Sequence, residues 1–221
     1  MKNSHKIVVS DDGSNTLISS QFKESYHSTF GAVQESDHIF IQAALNPVAL
    51  KLAEINLFEV GFGTGLNALL ALKFAMDHHV HINYHAVEAY PIDRETAGKL
   101  NYPDVVNIDK ELFLKMHESE KQEKEITPFF KLSVVHDTLQ RLTLPEDYYH
   151  VVFFDAFSPQ TQPEMWQPSC FKKIYNCMKT GGMLSTYSSK GIVKRALKSV
   201  GFQIEKLPGP PGKREFVRAI K

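Results

Sequence analysis

The stretch Leu57-Phe58-Glu59-Val60-Gly61-Phe62-Gly63-Thr64-Gly65-Leu66-Asn67 decides the fold. An apolar run ends on an acid and enters three glycines at alternate positions. Leu66, Leu69, Leu70 and Phe74 then recur at helical spacing through Asp77. A strand that stops at a glycine turn and restarts as a helix presents free backbone N–H groups, and the missing Cβ atoms let a ligand approach the main chain. The pattern points to a nucleotide or nucleoside, although a tight turn without a ligand uses the same residues. A dinucleotide fingerprint starting at Gly61 needs its third glycine at position 66, which is Leu66.

Working outward, Ile82 to Val87 has strand composition and closes on Glu88. That acid lies about 23 residues after Gly65, near the spacing at which a carboxylate grips a ribose diol. Lys131 to His136 makes a third strand, followed by Asp137, which is equally an N-cap candidate. Val151 to Phe154 is a fourth, ending on Asp155, and Ala156-Phe157-Ser158-Pro159 leaves it as a non-helical loop. Strands alternating with helices predict a mostly parallel α/β sheet, and ligands bind beyond the carboxyl ends of such strands, where Asp155 sits.

Two units are expected. Residues 1–55 form an N-terminal hairpin, Ile7 to Ile18 around Asp11-Asp12-Gly13, and a lead-in whose Phe22, Tyr26, Phe30 and Phe40 lie over the ligand. Residues 56–221 form the ligand-binding domain. Glu118 to Glu125 reads as a solvated helix face inside an insertion. Gly209-Pro210-Pro211-Gly212 reads as a loop between the last two strands.

Glu59, Gly61, Gly63 and Gly65 resemble the first motif of S-adenosylmethionine-dependent methyltransferases. A more specific likeness comes from Phe154-Asp155-Ala156-Phe157-Ser158-Pro159 with Gln162-Pro163-Glu164-Met165-Trp166. Together these resemble the methyltransferase domain of the bifunctional bacterial tRNA enzymes that complete 5-methylaminomethyl-2-thiouridine at the wobble position. Gly181 to Ser189, Val193-Lys194-Arg195, Gly201-Phe202 and Lys213-Arg214-Glu215 extend the likeness over roughly residues 20–221.

The resemblance implies a Rossmann-like methyltransferase sheet, mostly parallel with an antiparallel last strand, and S-adenosyl-L-methionine as cofactor. It implies cofactor contacts from Glu59, Gly61, Gly63, Gly65, Asn67, Glu88, Asp137 (toward the adenine) and Asp155. Substrate contacts are implied for Phe157, Ser158, Pro159, Trp166, Lys194, Arg195, Lys213 and Arg214. The substrate it implies is the aminomethyl group of a modified wobble uridine in tRNA, prepared by a separate flavin-dependent oxidase, since the chain stops at Lys221 without a second glycine fingerprint. A small-molecule or protein amine, or a non-catalytic nucleotide- or RNA-binding role, stays open. Asp155 argues against the last, because a binder needs no acid aimed at a methyl group.

The expected chemistry defines the role of Asp155. Displacement at a sulfonium methyl needs a neutral amine lone pair held close to the carbon more than it needs a strong base. A carboxylate that accepts an amine N–H orients that lone pair and steadies the developing ammonium, so orientation is favoured over proton removal.

Composition sets outer limits. The chain has 221 residues, 43% of them hydrophobic, enough for one full core. No run reaches the length of a membrane span and no apolar leader follows Met1, so a cytoplasmic protein is expected. Cys170 and Cys177 read as reduced and structural. His78, His79, His81 and His85 fall on a helix end and a strand, so no metal site is expected, and the first two complement the helix C-terminus. Net charge is formally zero, but Lys190 to Lys221 holds nine basic residues against Glu205 and Glu215. That polarity would steer a polyanion to one side.

Overall fold

The computed structural model describes residues 5–118 and 123–221. Strands β1 (His5–Val9) and β2 (Asn15–Ser19) form the expected antiparallel hairpin, with Gly13 at φ 81° in its turn. The lead-in then becomes one helical run: α1 (Ala32–Ser36), a π-helical segment (Asp37–Leu45) and α2 (Asn46–Ala49). Its buried residues include Ile39, Phe40, Ile41 and Leu45. The run packs on the sheet, where Ser185 Oγ donates to Ile39 O at 2.6 Å.

The remaining elements are β3 (Glu54–Val60), α3 (Leu66–His78), β4 (His81–Val87), α4 (Arg94–Ala97), α5 (Tyr102–Val106) and α6 (Lys110–Met116). After them come β5 (Lys124–Thr127), β6 (Phe130–Val135), β7 (Tyr149–Phe154), a 3-10 turn (Pro163–Trp166) and α7 (Pro168–Cys177). The chain closes with β8 (Met178–Thr186), α8 (Gly191–Ser199), β9 (Gln203–Pro208) and β10 (Glu215–Ile220). Eight strands form one sheet in the order β5-β6-β4-β3-β7-β8-β10-β9. β6, β4, β3, β7 and β8 are parallel to their neighbours in that series, and β10 runs antiparallel to both β8 and β9. From β3 the chain builds outward through β4 and β6, then returns to β7 on the other side, which makes the β3/β7 boundary the switch point where such sheets bind ligands.

Two sequence expectations need correction. Lys124 and Glu125 are not a helix face but the start of β5, an antiparallel edge strand on β6 that turns Ile126 inward (4% exposed). Residues 119–122 of that expected helix lie outside the described residues. Lys213 and Arg214, which the resemblance places in the final strand, instead precede β10, because Lys213 N–H closes a turn onto Pro210 O at 2.9 Å. No helix among the described residues is long and apolar enough to cross a membrane.

Alternation along the strands decides what faces what. Leu57 on β3, Tyr84 and Ala86 on β4 and Phe153 on β7 belong to the core beneath α3, whereas Phe58, Val60, Val152 and Phe154 face α7 and α8. With a period of two, Glu59, Glu88 and Asp155 all fall on the α3 side.

Candidate active site

β3, β4 and β7 end at one level. Val60 pairs with Val87 on one side and Phe154 on the other, so Gly61, Glu88 and Asp155 emerge together. The strand ladders extend into these residues: Gly61 N–H donates to Val87 O at 3.0 Å and Asp155 N–H to Val60 O at 2.9 Å. Beyond them opens a cavity of ≈ 670 Å³. Gly61, Gly63, Asn67, Glu88, Asp137, Asp155 and Phe157 line it, as do Tyr26, Phe30 and Phe40 of the lead-in. Glu59, Gly65, Ser158, Pro159, Trp166, Lys194, Arg195 and Arg214 do not.

The glycine turn works differently from the sequence expectation. Its amides are not free: besides Gly61, Gly63 N–H donates to Glu88 Oε2 at 2.7 Å and Gly65 N–H to Phe62 O at 2.8 Å. The missing Cβ atoms make room for the protein itself. A Cβ at Gly61 would lie 2.5 Å from Asp155 O, one at Gly63 3.1 Å from the Tyr26 ring, and one at Gly65 3.0 Å from His117 Nε2. All three residues have positive φ. A turn with its amides so committed is poorly suited to cradle a pyrophosphate, in accord with the failed dinucleotide fingerprint.

The acids are held in a graded series. Glu59 is 0% exposed and lies behind Asn67, whose Nδ2 donates to Glu59 Oε1 at 2.9 Å and to Asp155 Oδ2 at 2.8 Å. It therefore reaches the cavity only through Asn67, because position 59 belongs to the face beneath α3. Burial pushes the Glu59 carboxyl far above the usual range, partly offset by Asn67. Glu88 accepts from Gly63 N–H and, at 2.7 Å, from Tyr90 N–H, and burial raises its carboxyl despite those bonds. Asp155 is pushed up to about 7, chiefly by desolvation, with Glu35 and Glu88 adding to the rise and Asn67 and Lys213 opposing it. Asp137 lines the cavity with its Oδ1 turned back to accept Thr138 N–H at 2.8 Å, and no helix starts there, so the N-cap alternative is not what this acid does.

The loop after β7 is anchored from behind. Trp166, 1% exposed, donates Nε1–H to Phe157 O at 2.8 Å, and Gln162 Oε1 accepts Phe157 N–H at 3.1 Å. Trp166 thus fixes the loop rather than touching a substrate, because its ring is sunk among Phe154, Phe171 and Tyr187. Ser158 Oγ donates to Glu24 Oε2 at 3.1 Å, tying the loop to the lead-in. Phe157 packs against Phe22 and Tyr26 at centroid distances of 4.6 and 5.0 Å, giving the cavity an aromatic wall.

The basic C-terminal region is less open than its sequence reads. Lys194 pairs with Glu215 (3.0 Å), Lys213 with Glu35 (2.8 Å) and Arg218 with Glu205 (2.6 Å), while Lys221 pairs with Asp147 at the opposite end of the sheet. Among the described residues Lys190, Arg195, Lys198 and Arg214 have no carboxylate at ion-pair distance. Lys190 and Arg214 flank the carboxyl end of β8, on the cavity side.

Sequence reasoning anticipated Tyr26, Phe30 and Phe40 at the cavity but missed Glu35 and Gln162. Glu35 in a first helical turn looks like any solvated helix acid, and only the fold brings it to 8% exposure beside the cavity.

An acid at the end of each of three adjacent parallel strands, grouped around a glycine turn beside a nucleoside-sized cavity, defines a methyltransferase site. Residues 105–221, just over half of the chain, match the model of a family described as S-adenosyl-L-methionine-dependent methyltransferase, and the chain belongs to that family. It is also similar to the tRNA 5-methylaminomethyl-2-thiouridine biosynthesis bifunctional proteins MnmC of Magnetococcus marinus (28% identity, 93% of this chain, 32% of that protein) and Burkholderia thailandensis (29%, 96% and 34%). The chain spans about a third of the length of these relatives. Among solved structures it resembles MNMC2 from Aquifex aeolicus, with a TM-score of 0.82 and 26% identity over 99% of this chain and 71% of that one.

The residues present fit the cofactor. Asn67 lines the cavity, and its Oδ1 is buried with no hydrogen-bond partner among the described residues, an acceptor suited to an amino group. Glu88 keeps lone pairs for hydroxyl donors beyond the two amides it accepts.

Proposed function

We propose that the chain methylates the aminomethyl group of a modified wobble uridine in tRNA, converting 5-aminomethyl-2-thiouridine to 5-methylaminomethyl-2-thiouridine. The observation that carries this reading is Asp155: a carboxyl raised to about 7, fixed by Asn67 and facing the cavity beside the aromatic Phe157. The names of the full-length relatives supply the substrate class. A primary amine on that nucleoside has to be unmasked first, and a flavin-dependent oxidase activity would supply it.

Bound S-adenosylmethionine supplies a methyl group on a sulfonium. Glu88 holds the ribose hydroxyls, Asn67 the amino group, and Asp137 lies toward the adenine. Phe157, with Phe22 and Tyr26 behind it, offers the acceptor base an apolar face. Asp155 accepts an N–H of the acceptor amine and, titrating near neutrality, also takes a proton from it, a capacity that burial adds to the orienting role expected from sequence.

If Glu88 grips the ribose, Glu88→Ala leaves two hydroxyls unpaired and weakens S-adenosylmethionine by about 1 to 3 kcal/mol in calorimetry. Native affinity in the variant would remove Glu88 from the cofactor site. Tighter binding of NAD than of S-adenosylhomocysteine to the native protein would contradict the cofactor assignment itself.

For tRNA, the free cations matter more than the paired ones. Neutralising Arg195 or Arg214 lowers the slope of log affinity against log salt by about one unit or somewhat less, whereas neutralising Lys194, held by Glu215, changes it less. Filter binding at graded salt measures this. Binding that ignores salt, with turnover of free amines instead of undermodified tRNA, would favour a small-molecule acceptor.

A further inference from the structure

Two segments outside the central sheet meet at the cavity. α1 sends Glu35 inward, and the β9–β10 loop sends Lys213 to it, Nζ to Oε1 2.8 Å, with side chains 10% and 27% exposed. Glu35 Oε2 also accepts Ser28 N–H at 2.9 Å, which fixes the carboxylate on the lead-in. Lys213 Nζ lies 4.4 Å from the centroid of Tyr187, whose hydroxyl donates to Ala156 O at 2.9 Å. The pair is thereby tied through Tyr187 to the loop that carries Asp155. Close packing of Gly212 on Phe30 and a 2.9 Å bond between His38 Nε2 and Pro208 O hold the two segments together.

Charge makes this arrangement more than a brace. The residues lining the cavity include the acids Glu24, Glu35, Glu88, Asp137, Asp155 and Glu164, against Lys213 as their one lysine or arginine. A cavity so biased favours a cationic methyl donor and an acceptor that arrives as an ammonium, but it also opposes ionisation of the acid that must receive the acceptor's proton.

On the assignment of Asp155 given above, we infer that Lys213 and Glu35 are positioning residues that set when Asp155 carries its charge, Lys213 favouring the carboxylate and Glu35 opposing it. Neither touches the reacting atoms. Other groups face Asp155 from each neighbouring element: Asn67 on α3, Glu59 on β3, Tyr84 and Glu88 on β4, and Tyr187 after β8, with Glu24 acting on Tyr187 from the lead-in. Lys213 is the one cation among those shifting Asp155, so its loss is not covered by a neighbour.

The test needs no acceptor. S-adenosylmethionine carries a sulfonium and S-adenosylhomocysteine does not, so the ratio of their affinities rises as Asp155 ionises. Calorimetry from pH 5.5 to 9 gives the midpoint of that rise. Lys213→Gln should raise the midpoint by about one pH unit, Glu35→Gln should lower it, and the double variant should return it toward native. Lys213→Arg keeps the charge and should leave the midpoint in place, which also separates charge from folding. A purely bracing role would weaken both ligands alike and leave every midpoint unmoved. Unmoved midpoints, or shifts of one sign in both single variants, would overturn the inference while the cofactor site stands. A ratio flat with pH in the native protein would instead remove Asp155 from beside the methyl group, and the inference with it.

Discussion

Asp155→Asn should slow methyl transfer about a hundredfold or more while leaving the folded protein more stable than native at alkaline pH. The two effects share one cause. Asp155 sits among Glu35, Glu88 and the buried Glu59, where desolvation pushes its carboxyl up to about 7 from 3.8. The folded state therefore holds a proton that the unfolded chain has already released. Native stability is unaffected by this group below about pH 4, falls as pH rises from there to about 7, and stays low above it. A shift of this size is worth roughly 4 kcal/mol at most. Asparagine keeps an oxygen for Asn67 Nδ2 and removes the titration, so its stability gain should be absent near pH 4 and fully present above pH 7. In thermal melts at pH 8 that corresponds to several degrees for a chain of this size. Single-turnover assays on undermodified tRNA read the other half: the acidic limb near pH 7 should vanish in the variant, leaving only the amine's titration. A variant of native rate would withdraw the catalytic assignment. A variant less stable at pH 8 would show that the charge is not opposed by its surroundings.

The sheet was legible because β3 and β7 carry apolar runs and β4 has strand composition, each closed by an acid: Glu59, Glu88 and Asp155 mark the ends of β3, β4 and β7 within a residue or so. The grouping of the site followed from that, since register in a parallel sheet carries three chain positions to one edge. Local sequence does not carry what lies between elements. Lys213 looked like a phosphate contact because a cation beside Arg214 in a basic tail is usually solvated, and only tertiary packing turns it onto Tyr187 and Glu35. Trp166 looked like a substrate contact because its motif is specific, yet that specificity reflects the bond from its indole to Phe157 O. β5 escaped because its Lys-Glu-Ile-Thr sequence is polar, as edge strands commonly are.

The glycines were legible too, but for a reason the structure alters, and that alteration makes the second large prediction. Gly61→Ala should destabilise the protein by about 3 kcal/mol or more and abolish measurable cofactor binding. Part of the cost is conformational, since φ at Gly61 is 89°, where alanine is strained by about 1 to 3 kcal/mol. The rest is a collision with main chain. The new Cβ would stand 2.5 Å from Asp155 O and 3.1 Å from Asp155 C, and backbone at a strand end cannot rotate away as a side chain can. Relief requires separating the ends of β3 and β7, which strains the bond from Asp155 N–H to Val60 O and moves the Asp155 carboxylate off Asn67. Gly181→Ala supplies the control: φ there is 78°, but a Cβ would meet nothing within 4 Å, so it carries the conformational cost without the collision. Melts of the two variants should differ by several degrees, and calorimetry should show native-like S-adenosylmethionine binding in Gly181→Ala alone. Equal melts would mean that positive φ, not the approach of β7, is what reserves position 61 for glycine.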